Sequence, residues 1–271
     1  MKLPHIKQFV KKSYWKSKRI MYKLLPRWTH MSYCGYKLFY NRENALIARI
    51  RREKEFETEL IDAMVTDIKH VTHPVVLDIG ANLGLVSLAL CRRQPSVTIH
   101  AFEPGLIQRT ALQKSVHDNF IQKIQVYPYA LSSTNGVSEF FVHTEGDQAK
   151  DGLRDTKRGA TTTVSQIETL TLDTWCAQCH VEHIDVIKID TEGAELLVLQ
   201  GAEITLKSLR PIIYLEISPK NYVAYCYVAH DIVDILTRYN YRLQTLEGEI
   251  VTSQNIKDLL EKHDTFRALP L

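Results

Sequence analysis

Residues 75–90 read Val-Val-Leu-Asp-Ile-Gly-Ala-Asn-Leu-Gly-Leu-Val-Ser-Leu-Ala-Leu. The opening run Val75-Val76-Leu77 is apolar on both faces, as a strand inside a parallel sheet must be. Two glycines then bracket Ala81-Asn82-Leu83, and an apolar run of helical character follows. The stretch is therefore a strand, a glycine turn and a helix. The same alternation continues on both sides of it. Short β-rich runs at 97–102, 124–129, 184–189 and 212–217 are separated by helical stretches at 106–120, 194–209 and 231–239. Such alternation predicts an α/β fold, a doubly wound and mostly parallel sheet with right-handed crossovers. Upstream, residues 43–70 carry apolar side chains at helical spacing with charges opposite. Between 136 and 171 the pattern breaks into polar, Thr-rich segments, expected as an inserted hairpin and loop. In a doubly wound sheet, ligands bind beyond the carboxyl ends of the strands.

Composition narrows the function classes. The 271 residues carry 34 Lys+Arg against 31 Asp+Glu, and 45% are apolar, which argues against a wholly disordered chain. No run of about 18 uncharged apolar residues occurs, so no membrane-spanning helix is expected. Five cysteines, Cys34, Cys91, Cys176, Cys179 and Cys226, make no disulfide framework and suggest a reducing, cytoplasmic setting. The small net charge of +3 hides an asymmetry: residues 1–42 hold eleven Lys/Arg and no acid, while the remainder is net −8. We read 1–42 as a basic, helical N-terminal extension and 43–271 as the folded domain. Tyr14, Trp15, Tyr22 and Trp28 are interleaved with the bases. That pattern suits peripheral contact with an anionic membrane surface, or a solvated arm that packs one aromatic stripe on the domain. The sequence carries no signature of an oligomeric state.

The strand ends hold the chemistry. The first glycine turn lacks the GxGxxG spacing of a pyrophosphate site, and Asp78 stands two residues before Gly80. A carboxylate there suits the ammonium group of an amino-acid-bearing cofactor better than a phosphate. Glu103 closes the next strand 19 residues beyond Gly84, where such a fold places its ribose-binding acid. Together these favour S-adenosylmethionine. In the run Ile184-Asp185-Val186-Ile187-Lys188-Ile189-Asp190-Thr191-Glu192-Gly193, period-two alternation puts Lys188, Asp190 and Glu192 on one side. A base and two acids at a buried strand end must pair or bind something. They are candidates for general base or acceptor anchor, with a structural ion-pair network as the alternative. Two oxygen ligands could instead recruit a divalent metal. Glu216, at the end of a later strand, is a further candidate for gripping acceptor hydroxyls, or else a paired structural acid. Cys176-Ala-Gln-Cys179-His180 matches a haem-attachment string, but no second Cys/His cluster accompanies it, and we read it as a coincidence on a helix.

These pieces resemble the FkbM family of S-adenosylmethionine-dependent methyltransferases. The resemblance rests on VVLDIGANLGLVSLAL (75–90), HAFEP (100–104), YALSSTNG (129–136), ETLTLDTW (168–175), IDVIKIDTEGAELLVLQGAE (184–203) and PIIYLEI (211–217). KIDTEGAE is the most specific of them; Thr191 stands where the family often has Val. DGLRDT (151–156) resembles an insertion found in some members. The resemblance implies a seven-stranded, Rossmann-like class I methyltransferase fold and O-methylation, commonly of sugars, glycans or secondary metabolites. It further implies that Asp78, Gly80, Ala81, Asn82 and Gly84 hold the methionine part of the cofactor. Glu103 would hold the ribose, with Ala130 and Leu131 near the adenine. Other functions remain open at this stage. A nucleic-acid methyltransferase would use the basic arm, against which the domain's net −8 speaks. A non-catalytic module would bind cofactor without turnover. A dehydrogenase is disfavoured by the missing pyrophosphate pattern.

Overall fold

The structure, a computed structural model, describes residues 28–41, 44, 46–53, 56–143, 150–157 and 162–271. It begins with a hairpin of β1 (Trp28–Tyr33) and β2 (Tyr36–Asn41). Helices α1 (Leu46–Glu53) and α2 (Thr58–Ile68) follow, so the helical periodicity over 43–70 is divided by a turn at Glu57, whose φ is 49°. The alternating part then runs β3 (Val75–Ile79), α3 (Leu85–Arg93), β4 (Thr98–Phe102), α4 (Leu106–Asp118) and β5 (Ile124–Tyr127). The insertion is a small sheet of β6 (Ala130–Leu131), β7 (Gly136–His143) and β8 (Thr162–Leu170) in the order β6-β8-β7. Next come α5 (Leu172–Gln178), β9 (Val186–Ile189), α6 (Glu195–Gln200) and β10 (Ile212–Glu216). The chain closes with α7 (Pro219–Tyr222), α8 (Ala229–Arg238), β11 (Tyr241–Thr245), α9 (Ile256–Leu259) and β12 (Thr265–Pro270).

The main sheet has seven strands in the order β11-β12-β10-β9-β3-β4-β5. Neighbours from β10 to β5 are parallel, and β12 runs antiparallel to both of its partners. The strand order reverses between β3 and β9, which makes that point the switch where ligands bind in such folds. Alternation along the strands fills two cores. Leu77, Ile79, Phe102, Ile187 and Ile213 pack on one face with Trp175 and Leu236, while Val76, Ile99, Val186 and Tyr214 pack on the other with Met64, Leu88 and Leu112. Asp67 of α2 ties the second layer to the sheet by accepting from the Tyr214 hydroxyl at 2.6 Å and pairing with Arg267. The helical stretch expected over 194–209 is interrupted rather than continuous: α6 ends at Gln200, a turn at Gly201 and Ala202 follows, and a π-helical turn covers Thr205–Leu209; Gly201 lies against the Ser132 carbonyl, where a Cβ would sit only 2.1 Å from the oxygen.

Where the N-terminal extension is described, at 28–41, it is a hairpin rather than a helix. Leu38 and Tyr40 are buried in the core, and the Phe39 amide donates to Ser115 Oγ at 2.9 Å. The Lys37 amide donates to Asn119 Oδ1 at 2.9 Å, and Asn119 returns a bond to the Lys37 carbonyl. The alternating apolar positions of β2 thus find α4 as their partner. Most of the basic, aromatic stretch, including Tyr14, Trp15 and Tyr22, lies outside the described residues, and so does the membrane contact expected of it. No helix among the described residues is long and apolar enough to cross a membrane.

Candidate active site

A cleft of about 510 Å³ opens at the carboxyl ends of β3, β4, β9 and β10. Its floor begins with the glycine turn. Gly80 has φ +82°, and a Cβ there would lie 1.8 Å from the Asp190 carbonyl oxygen. Only glycine lets the β3 and β9 loops approach so closely. Asn82 adopts φ 50°, a left-handed conformation uncommon for a side chain, and its amide donates to Glu103 Oε2 at 2.8 Å. Its side-chain Oδ1 is buried with no hydrogen-bond partner. Gly84 serves packing: a Cβ would meet Leu112 Cδ1 at 2.2 Å, so the glycine brings α3 against α4.

Glu103 stands beyond β4, 7% exposed, with Oε1 accepting from the Gly105 amide at 2.7 Å. Burial pushes its carboxyl up to about 7 against the lowering effect of the two amides, and nearby Asp151 raises it further. Ala130 and Leu131 are buried and line the same end with Tyr129.

The other end is acidic around one cation. Lys188 is 5% exposed, its Nζ 3.2 Å from Asp190 Oδ2 and 3.6 Å from Asp78 Oδ1. Burial alone would lower the ammonium, but Asp190 and Asp78 hold it above the usual lysine range. Asp78 does not line the cleft. It is fully buried beneath, accepting from Ser87 Oγ at 2.5 Å and facing Lys188. Burial pushes Glu216 up to about 10, helped by its hydrogen bond to Asp190 and the charges of Glu192 and Glu195, so it is a neutral acid at pH 7. Glu192 is held at φ 57° and accepts from Asn221 Nδ2 at 3.0 Å. Glu195 turns inward to cap the turn, its Oε1 taking the Thr191 amide at 2.8 Å, the Thr191 hydroxyl at 2.9 Å and the Gly193 amide at 3.2 Å.

The sequence-derived candidates Lys188, Asp190, Glu192 and Glu216 thus converge in one cleft, with Gly80, Ala81, Asn82, Glu103, Ala130 and Leu131 along its walls. Asp78 and Gly84 support it from behind. Residues not singled out as candidates also line it: Gln108, Tyr129, Asp151 and Gly152. Tyr129 opens the YALSSTNG segment, Asp151 and Gly152 open the DGLRDT insertion, and no motif points to Gln108. Cys176 is buried beside Thr205 and Cys179 is exposed, and no group of three or more potential metal-binding side chains occurs among the described residues.

Residues 78–243 match the Methyltransferase FkbM domain family. The 2-O-methyltransferase NoeI of Sinorhizobium fredii is 26% identical over 235 residues, covering 78% of this chain and 96% of that protein. The 31-O-demethyl-FK506 methyltransferase FkbM of Streptomyces tacrolimicus is 28% identical over 159 residues, 48% of this chain and 59% of that protein. Among solved structures, a methyltransferase FkbM from Methylobacillus flagellatus aligns over 73% of this chain and 44% of its own, with TM-score 0.46 and 17% identity. A cleft without a pyrophosphate loop, placed at the switch point of this sheet and matched over most of its length by that family, leads to one conclusion: the chain belongs to the FkbM methyltransferase domain family and is an S-adenosylmethionine-dependent methyltransferase.

Proposed function

We propose that the enzyme methylates a hydroxyl oxygen of a sugar, glycan or secondary metabolite, with Asp190 as the proton acceptor. The observation that carries this reading is the Lys188–Asp190–Glu216 cluster at the end of β9 and β10, across the cleft from Glu103. The residues fit the cofactor. Asn82 Oδ1 is a buried orphan beside the glycine turn, and Glu103 presents a carboxylate fixed by two backbone amides. Glu103 takes the ribose hydroxyls, Gly80, Ala81 and Asn82 hold the methionine part, and Ala130 and Leu131 flank the adenine. Asp78 and Gly84 act on the site through Lys188 and through the seating of α3.

When bound, the cofactor supplies an electrophilic methyl group on a cationic sulfur. The protein's share is to align an acceptor oxygen and to take its proton. Lys188 keeps Asp190 charged and fixes its orientation from behind. Glu216, protonated, donates to Asp190 and leaves its other oxygen to accept from a neighbouring hydroxyl. Glu192, held in its left-handed turn and bonded by Asn221, forms the acceptor-side wall. The buried Lys188 ammonium already neutralises the carboxylates that a divalent ion would need, which favours acid–base chemistry over metal assistance.

The test is transfer of labelled methyl from S-adenosylmethionine into a panel of sugars, glycans and hydroxylated metabolites, with the labelled product identified. An O-methyl product supports the reading. Label found only on nucleic acid, or on nitrogen, overturns it.

A further inference from the structure

The turn that carries Glu103 is clamped from outside the cleft. The Glu103 amide donates to the Tyr127 carbonyl at 3.0 Å, which seats the residue at the end of β4. Two residues on, the Gly105 amide donates to Glu103 Oε1 at 2.7 Å, so the side chain folds back over its own turn. The fit is close: a Cβ on Gly105 would lie 2.7 Å from Glu103 Oε1 and 2.8 Å from Gln108 Oε1. Arg109, half-buried, reaches the same turn from α4. Its Nη1 donates to the Pro104 carbonyl at 2.6 Å and to the Glu103 carbonyl at 3.1 Å. The arginine itself does not line the cleft.

The start of α4 is an unfavourable place for a base. Arg109 is the fourth residue of a helix with no acid in its first turn, at the end where the helix dipole favours acids. The two turn carbonyls are what hold the guanidinium there. The carbonyl of Pro104 and the amide of Gly105 belong to one planar trans peptide unit, in which the two groups point in opposite directions. An arginine that holds the carbonyl on one side therefore turns the amide to the other, onto Glu103 Oε1. We propose that Arg109 is a positioning residue for cofactor binding: by fixing the Pro104–Gly105 peptide it aims the Gly105 amide at Glu103 and so orients the carboxylate that receives the ribose. The inference rests on placing the ribose at Glu103, and it extends the cofactor machinery to a side chain that touches no ligand.

The experiment is calorimetric titration of the full chain with S-adenosylhomocysteine across the pH range of the Glu103 titration, in the parent and in Arg109→Met, with urea unfolding as the measure of fold. Burial raises the Glu103 carboxyl to about 7 against the Gly105 and Asn82 amides, Asp151 raises it further, and the Arg109 charge lowers it. Losing the clamp removes the aimed amide and the nearby charge together. Arg109→Met should therefore bind about 5- to 30-fold more weakly at the high-pH plateau, as expected for a weakened hydrogen bond to a charged group. Its binding midpoint should lie about 0.5–1 pH unit above the parent's, a change that a merely structural role would not produce. Arg109→Lys keeps the charge and a donor, and should return the affinity to within about threefold with the midpoint near the parent's. Should the methionine variant fail to fold, Arg109→Gln keeps a donor without the charge and should still move the midpoint upward. A folded neutral variant with parental affinity, or one with weakened binding and an unmoved midpoint, overturns the proposal while leaving the ribose at Glu103. A parent whose binding does not change with pH overturns both.

Discussion

Glu103→Gln is the most informative perturbation of the cofactor end, because the structure fixes both its size and its sign. The glutamate is buried, each oxygen receives one backbone amide, and its carboxyl is pushed up to about 7. Ribose hydroxyls donate to the charged form, so the parent's affinity for S-adenosylhomocysteine should rise with pH and level off above about pH 8. Near pH 6 only roughly a tenth of the free protein carries the ionised group, so binding should be about tenfold weaker than the plateau. The glutamine variant has no such titration and should lose about 1.5–3 kcal/mol at the plateau, with a flat profile. Stability moves the other way. An acid with a raised folded pKa contributes stability below its ordinary value of 4.5 that is lost as pH rises through about 7. Between those values the parent should lose about 3 kcal/mol relative to the variant. Calorimetry and urea unfolding at matched pH measure both. A flat binding profile in the parent, parallel to that of the variant, would refute the placement of the ribose on this carboxylate.

Three further outcomes follow from the loops. Asp190→Asn should lower turnover by about 10²–10⁴-fold with cofactor affinity within about threefold of the parent, read from kcat and from calorimetry; near-parental kcat would remove Asp190 as proton acceptor. Glu216→Gln should gain stability over the parent steadily as pH rises from about 4.5 to about 10, because across that window the carboxyl is ionised in the unfolded chain but neutral in the fold, and the advantage should level off above it. Equal alkaline unfolding midpoints would contradict the buried, protonated Glu216. Gly80→Ala should destabilise the fold by more than about 2 kcal/mol, because φ is +82° and the new Cβ would fall 1.8 Å from the Asp190 carbonyl. Parental stability in urea would show that the two loops do not meet.

The strand ends were the legible part of this protein. Asp190 and Glu216 carry their positions in the sequence because buried parallel strands read as apolar runs that stop where a polar residue appears. Glu103 was legible from its spacing beyond the glycine turn. Asp78 was read as a partner for the cofactor's ammonium group, and its pairing with Lys188 was not legible. A side chain on a strand buried on both faces meets whatever the neighbouring strand presents, here Lys188 opposite it in register. Gly84 reads as a cofactor glycine, and in the structure it also brings two helices together, a contact that depends on Leu112, 28 residues away. Asp151 escaped because its place is set by a single bridge to β7 within an irregular segment, which leaves no periodicity. The hairpin at 28–41 was masked by its charges: its alternation is short, and the partner that buries it, α4, lies some 70 residues downstream.

A crystal structure of the protein with S-adenosylhomocysteine tests the central claim most directly, since it locates the ligand independently of turnover. The account predicts the ribose hydroxyls on the Glu103 carboxylate, the thioether sulfur facing Asp190 and the acceptor space bounded by Glu192 and Glu216. A nucleoside bound elsewhere, or one inverted so that its ribose lies against the Lys188–Asp190 pair, would contradict it.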